Sequence, residues 1–116
     1  MNLFLTSSYD GSANLYNLWT CKIIRSFSHP NLTAIHSGVI TQNPLAGIAL
    51  YSREDHMWHS FSINGSFLDK QREECSHIVQ PLIVKDSYFM DKLVYGTERG
   101  YIVMRSLPHL RILKKL

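Results

Sequence analysis

The sequence predicts an all-β protein in which a unit of short antiparallel strands is repeated along the chain. Hydrophobic residues make up 45% of the 116 positions, so the chain can build a packed core. They occur in short runs, and no segment shows the long 3.6-residue period that helical repeats require. Two dipeptides, Asp10-Gly11 and Asn64-Gly65, predict hairpins because glycine tolerates the positive φ of tight hairpin turns.

The repeat becomes visible when the opening segment is aligned with the rest of the chain. Asp10 aligns with Asp55, and five apolar columns recur without a gap inside the unit. The spacing is 45 residues and then a further 44, and the columns are Phe4, Ala49 and Leu93; Leu5, Leu50 and Val94; Ala13, Trp58 and Ile102; Leu18, Ile63 and Leu107; and Ile23, Leu68 and Ile112. A repeat of about 40–45 residues with several short strands is typical of β-propeller blades.

The first unit, residues 3–30, contains three predicted strands. Asp10-Gly11 joins the first two, at 3–8 and 12–18, and a short loop leads to the third at 22–27. Because a complete blade has four strands, we expect this unit to present an unpaired edge.

The second and third units are each predicted to contain four strands. The second spans residues 31–74, has a loop at 41–44, and has strands at 34–40, 46–52, 57–63 and 66–70. The third spans residues 75–116 after a polar lead-in at 69–76, and has strands at 78–85, 92–96, 101–107 and 110–114. The predicted fold is a partial propeller of about two and two-thirds blades of antiparallel four-stranded sheet. We interpret it as a fragment, because a propeller closes with about four blades or more.

The first hairpin resembles the core of a WD-repeat, the blade unit of a large propeller family. Residues 5–17 carry Ser8 two positions before the turn residue Asp10, as that family does. Tyr16 and the asparagine after it replace the family's Trp-Asp pair. The resemblance implies that Ser8, Asp10 and Tyr16 belong to a hydrogen-bonded network that pins the turn to its strands.

The later units depart from the WD-repeat pattern to different degrees. The second keeps Asp55 and has Phe61 at the aromatic position. The third keeps Thr97 before the turn, whereas Arg99 replaces the aspartate and Arg105 the aromatic residue. We therefore expect the third unit to have lost this network.

A narrower resemblance covers most of the chain. The segments that carry it lie at residues 50–52, 60–68, 93–100 and 105–113, and they look like the C-terminal propeller of BEACH-domain proteins such as neurobeachin. That family implies large cytoplasmic scaffolds, some peripheral to endomembranes, that act in vesicle trafficking and membrane sorting. The part implied for this chain is a WD-repeat propeller that docks other proteins.

The residues do not predict an enzyme, a metal site or a cofactor site. Among the six histidines, His29 and His36 have no cysteine or acid at ligand spacing, and His56 and His59 fall on opposite faces of a strand. We expect the histidines to lie on the surface and in turns. Asp10 and Asp55 are explained as turn residues, and no nucleophile elbow or phosphate-binding loop is present.

The charge pattern leaves two kinds of partner open. A net charge of +3 spread along the chain lacks the basic stripe typical of nucleic-acid binding, so we expect protein partners instead. The alternative is a peripheral module that contacts anionic lipid through Arg105, Arg111, Lys114 and Lys115.

The two tryptophans receive different interpretations. Trp58 falls in an apolar column, which predicts core packing. Trp19 falls in a predicted loop, where a large aromatic residue is a candidate interface anchor, with Tyr9 as its neighbour. Covering the edge of a blade is the alternative role for Trp19.

Overall fold

A computed structural model describes residues 2–42, 46–75, 77–85 and 90–116. The strands, in chain order, are β1 (Leu3–Ser7), β2 (Ser12–Asn17), β3 (Ile23–Ser28), β4 (Ser37–Thr41), β5 (Gly47–Ser52), β6 (Met57–Ser62), β7 (Phe67–Arg72), β8 (Ile78–Lys85), β9 (Asp91–Thr97), β10 (Ile102–Ser106) and β11 (Ile112–Lys115). Part of the loop predicted at 41–44, and the last residue of the lead-in predicted at 69–76, lie outside the described residues.

The strands form three antiparallel sheets that follow the order of the chain. The first sheet contains β1 to β3, the second β4 to β7 and the third β8 to β11, each with its strands in sequence order. The all-β prediction is confirmed, and sheets of three, four and four strands fit a partial propeller. In the described part of the chain, no helix has the length and hydropathy needed to cross a membrane.

Both predicted hairpin turns are present, and glycine is required in each. Gly11 between β1 and β2 has φ +87°, and Gly65 between β6 and β7 has φ +93°. A Cβ atom on Gly11 would also lie 2.5 Å from the backbone of Leu32. The first turn therefore needs glycine for its φ and for the close approach of the loop after β3.

The middle sheet lies between the other two and is covered on both faces. Every residue of β5 is buried, and its side chains alternate between two cores. Ile48 and Leu50 pack with the first sheet, whereas Ala49 and Tyr51 pack with the third. Sheets that are stacked face to face in chain order have the arrangement of successive propeller blades.

Several apolar columns are not uniformly buried, and for the column of Ala13, Trp58 and Ile102 the stacking explains why. Ala13 and Trp58 are buried, but Ile102 is 52% exposed, and the adjacent Val103 takes the core position in β10. Ala13 in the first sheet faces the second sheet, and Trp58 in the second sheet faces the third. No described sheet follows the third, so β10 packs through its other face, which meets the second sheet.

The strands at one edge of the three sheets converge. β4 contacts both β1 and β8. Among the described residues, β1 pairs only with β2, so it forms the edge of its sheet. β4 begins three residues later than predicted, because the amide of Ile35 donates to the carbonyl of Ser8 in the first unit rather than to a neighbouring strand.

Candidate functional site

A concave feature lies where β1, β4 and β8 converge. It is a cleft of about 500 Å³. Its polar lining comes from all three sheets and comprises Ser7, His36, Ser37, Tyr51, Arg53 and Gln80, with Ile78 and Pro81 on the third-sheet side. The cleft therefore brings together residues from all three sheets.

His36 lines this cleft, and its ring is hydrogen-bonded to the backbone. Its Nδ1 accepts the backbone N–H of Arg53 at 3.0 Å, which leaves the ring proton on Nε2. Burial, followed by the nearby charge of Arg53, lowers the pKa of His36 below its ordinary value of 6.5. The ring of Tyr9 lies 5.2 Å from the His36 ring, at the mouth of the first hairpin.

Tyr51 forms the buried wall of the cleft. Its hydroxyl donates to the carbonyl of Cys75 at 2.9 Å, and burial raises the pKa of the phenol. Its ring packs on Trp58 at 5.1 Å, so the wall of the cleft is continuous with the core between the second and third sheets.

Ser8 and Asp10, predicted to act together, meet in the first turn. The Asp10 carboxylate accepts the backbone N–H of Ser12 at 2.9 Å and its hydroxyl at 2.6 Å, and the Ser8 hydroxyl accepts the Asp10 amide at 3.3 Å. These hydrogen bonds lower the pKa of Asp10, and the bond from the Ser12 hydroxyl has the largest effect. Tyr16 lies apart from them and stacks on Phe4 of β1 at 4.7 Å.

Asp55 joins two units through a residue that sequence reasoning missed. The His29 Nε2 lies 2.5 Å from the Asp55 carboxylate, and His29 Nδ1 accepts the amide of Asn31 at 3.0 Å. His29 and His59 are buried, so the expectation that the histidines lie on the surface is wrong for this pair. Twenty-six positions separate His29 from Asp55, so only the stacking of the sheets brings them together.

The second-unit aromatic residue also has a different role from the one implied. Phe61 packs against Phe27 at 5.4 Å and Phe67 at 5.9 Å. It belongs to the core between the first and second sheets rather than to a polar network.

A buried polar network joins the third unit to Glu73 at the end of the second unit, and it differs from the turn network of the first unit. Thr97 supports the turn by accepting the Tyr101 amide at 3.2 Å. Arg105 donates to the Tyr95 hydroxyl at 2.8 Å and lies 3.3 Å from a Glu73 carboxylate oxygen. Tyr95 also donates to that carboxylate, and burial raises the pKa of its phenol. Arg105, which aligns with the aromatic residue Tyr16 of the first unit, forms a buried ion pair with Glu73 instead.

The same network overturns one of the proposed lipid contacts. Arg105 is only 2% exposed and donates through its other nitrogens to the carbonyls of Leu110 and Arg72. It cannot reach a lipid headgroup because its guanidinium is enclosed by these partners. Lys115 is also engaged: it pairs with Glu74 at 3.0 Å and lies 4.3 Å from the ring centroid of Tyr101. Arg111 and Lys114 are exposed.

The two tryptophans lie in opposite environments. Trp58 is fully buried in the core between the second and third sheets, which confirms the prediction for it. Trp19 is 78% exposed and Tyr9 75%, so both indole and phenol are accessible. The Trp19 backbone is fixed by donation of its N–H to the Asn17 side chain at 2.8 Å. Their role as partner contacts stays a prediction.

Metal-binding side chains do not converge in the described part of the chain. Within residues 2–42, 46–75, 77–85 and 90–116, no group of three histidine, cysteine, aspartate or glutamate residues has the geometry to hold an ion. Both cysteines are free thiols, with Cys21 exposed and Cys75 buried.

The environment of His59 predicts acid sensitivity. Burial, and then the adjacent His29, lower the pKa of His59 below 6.5. The unfolded chain then binds more protons than the folded chain as the pH falls through 6.5, so the free energy of unfolding decreases on acidification. We expect His59→Phe to flatten this decrease between about pH 7.5 and 5, as followed by urea denaturation. His109→Gln, at an exposed site, is the control. If the unfolding free energies of wild type and His59→Phe depended equally on pH, the prediction would be contradicted.

The geometry defines a class of protein: an all-β chain of stacked antiparallel sheets with a polar cleft where three strands converge. No family model matches the chain. Over 115 residues, 99% of its length, the chain is 28% identical to BEACH domain-containing protein B of Arabidopsis thaliana. The chain spans 4% of the length of that relative. The similarity therefore concerns a small part of a very large protein.

Proposed function

We propose that this chain is a non-catalytic protein-interaction scaffold, a portion of the C-terminal WD-repeat propeller of a BEACH-like protein that acts in vesicle trafficking or membrane sorting. The observation that carries the proposal is the middle sheet, which is covered on both faces by the sheets before and after it in the chain. The similarity to a BEACH domain-containing protein supports the same assignment.

The proposed mechanism is passive presentation of side chains on a stiff frame. The stacked sheets hold their turns at fixed positions, and the exposed turn residues make the contacts. Trp19 and Tyr9 are the proposed anchors, since both aromatic side chains are largely exposed. The proposed partners are proteins rather than nucleic acids, the proposed compartment is the cytoplasm, and the proposed activity requires no cofactor.

Proximity biotinylation in cells tests the scaffold role. A labelling enzyme fused to the chain is expected to mark a set of proteins that the free labelling enzyme does not. Trp19→Ala should remove members of this set, because it deletes an exposed anchor without disturbing the core. Tyr101→Ser, at an exposed aromatic residue that directly precedes β10, is the matched control. Identical labelling by the chain and by the free enzyme would contradict the proposal.

Lipid binding is the second candidate, and it rests on the exposure of Arg111 and Lys114 near the end of the chain. Each basic residue near an anionic surface contributes about 1 kcal/mol, so this pair supplies only about 2 kcal/mol. Sedimentation with phosphatidylcholine vesicles, with and without phosphatidylserine, distinguishes the candidates. Binding that requires phosphatidylserine and disappears in high salt would favour lipid.

A further inference from the structure

The cleft between the three sheets is lined by one positively charged side chain and, among its described lining residues, by no acidic one. Arg53 is half-buried in the cleft wall, and none of the residues that line the cleft is acidic. Within the described residues its guanidinium makes no hydrogen bond or ion pair. The neighbouring Glu54 is exposed and does not line the cleft. The other enclosed arginine, Arg105, has Glu73 as its counter-ion.

Uncharged polar side chains line the same cleft as this guanidinium. The hydroxyls of Ser7 and Ser37 and the side-chain amide of Gln80 line the cleft, and in the described part of the chain these groups make no hydrogen bonds. The set contains several donors and one full charge, which is the complement of a small anion that accepts hydrogen bonds.

We infer that the cleft binds the carboxylate of a glutamate or aspartate side chain from a partner protein, with Arg53 as the charged donor and Ser7, Ser37 and Gln80 as neutral donors. This inference rests on the proposed interaction function and gives it a second contact site, separate from Trp19. A guanidinium pairs with a carboxylate through two parallel hydrogen bonds. Ile78 and Pro81 offer an apolar wall for the methylene groups of the acidic side chain.

The charge balance favours a carboxylate over a phosphate group. A phosphate monoester carries about −1.5 to −2 charges at neutral pH, and its sites combine several cationic donors. The cleft supplies one guanidinium, and the low pKa of His36 keeps that ring neutral. One positive charge matches one carboxylate.

Fluorescence anisotropy with a synthetic acidic peptide tests the inference on the whole 116-residue chain. The probe is a labelled, acetylated and amidated peptide of alternating glutamate and glycine, and the control peptide has glutamine in place of glutamate. We expect the glutamate peptide to bind at least about tenfold more tightly than the glutamine peptide. Arg53→Gln should weaken glutamate binding by about tenfold or more, because it removes the charged donor.

Two further variants separate specific recognition from general attraction. Arg53→Lys retains the charge but loses the paired donors, so we expect an intermediate affinity. Arg111→Gln removes an equal charge from an exposed site and should leave affinity within about twofold of wild type. In the wild-type chain, the changes in nuclear magnetic resonance chemical shift caused by peptide addition should be largest at His36 and Gln80. This measurement locates the binding site without a variant, so it remains valid if a variant folds poorly.

Three results would overturn the inference. The first is equal affinity for the two peptides, and the second is an equal loss of peptide affinity in Arg53→Gln and Arg111→Gln. The third is displacement of the peptide by phosphatidylserine vesicles in a manner that depends on Arg53. The two proposals can fail separately. Protein labelling that needs Trp19, together with no carboxylate preference, would refute the cleft site alone; carboxylate binding without specific protein labelling would count against the scaffold role alone.

Discussion

Replacing Arg105 with alanine is expected to lower the free energy of unfolding by about 3–5 kcal/mol. The guanidinium is enclosed, and its removal leaves the Glu73 carboxylate buried beside the Tyr95 hydroxyl without a positive partner. It also leaves the carbonyls of Leu110 and Arg72 without these donors. Because these groups come from three separate segments, the loss should be visible as a lower midpoint in urea denaturation.

The double variant Arg105→Met with Glu73→Leu tests whether the unpaired charge of Glu73 causes the loss of stability in Arg105→Ala. It removes both ions, so no uncompensated charge remains, and it should regain most of the stability lost by Arg105→Ala. Arg111→Ala removes an exposed arginine and should change the unfolding free energy by less than about 0.5 kcal/mol. If Arg105→Ala were as mild as Arg111→Ala, the buried ion pair would not support the third unit.

Replacing Trp58 with alanine is expected to cost about 3–5 kcal/mol of unfolding free energy. The indole is fully buried and lies 5.1 Å from the Tyr51 ring and 5.4 Å from the Tyr95 ring, in the second and third sheets. Its removal opens a cavity at the contact between the sheets, where the surrounding strands can relax only in part.

The other tryptophan provides a control with the same chemical change. Trp19→Ala acts at an exposed site and should alter stability by less than about 0.5 kcal/mol. Tryptophan fluorescence in each single variant then reports one environment: a buried indole in Trp19→Ala and an exposed indole in Trp58→Ala. Similar stabilities for the two variants would contradict the assignment of Trp58 to the core between the sheets.

Local chemistry predicted the strands and turns of this chain well. Asp10-Gly11 and Asn64-Gly65 specify their turns because the required positive φ is a property of the glycine itself. The alternation of apolar residues likewise located all eleven strands to within three residues at each end. Ile35 was predicted to lie in a strand, but its amide donates to the carbonyl of Ser8 in another unit. The residues around Ile35 in the sequence do not indicate this hydrogen bond.

The candidate site was predicted less completely because its parts are distant in the sequence. Trp19 and Tyr9 were selected by residue type and loop position, and both are exposed. The cleft was not predicted, since Arg53 and Gln80 become neighbours only when the second and third sheets stack. Arg105 was misassigned because a basic residue near the end of the chain looks accessible until Glu73 is placed beside it.

By itself, the sequence determined the fold class, the order of the hairpins and the three-unit repeat. These follow from turn chemistry and from the period of two in a strand, which act over a few residues. The tertiary structure alone decided which polar groups pair, as in His29 with Asp55, and which charged side chain, among the described residues, lines the cleft, Arg53. Burial and charge pairing depend on which sheet covers a residue, and that is settled only when the sheets pack.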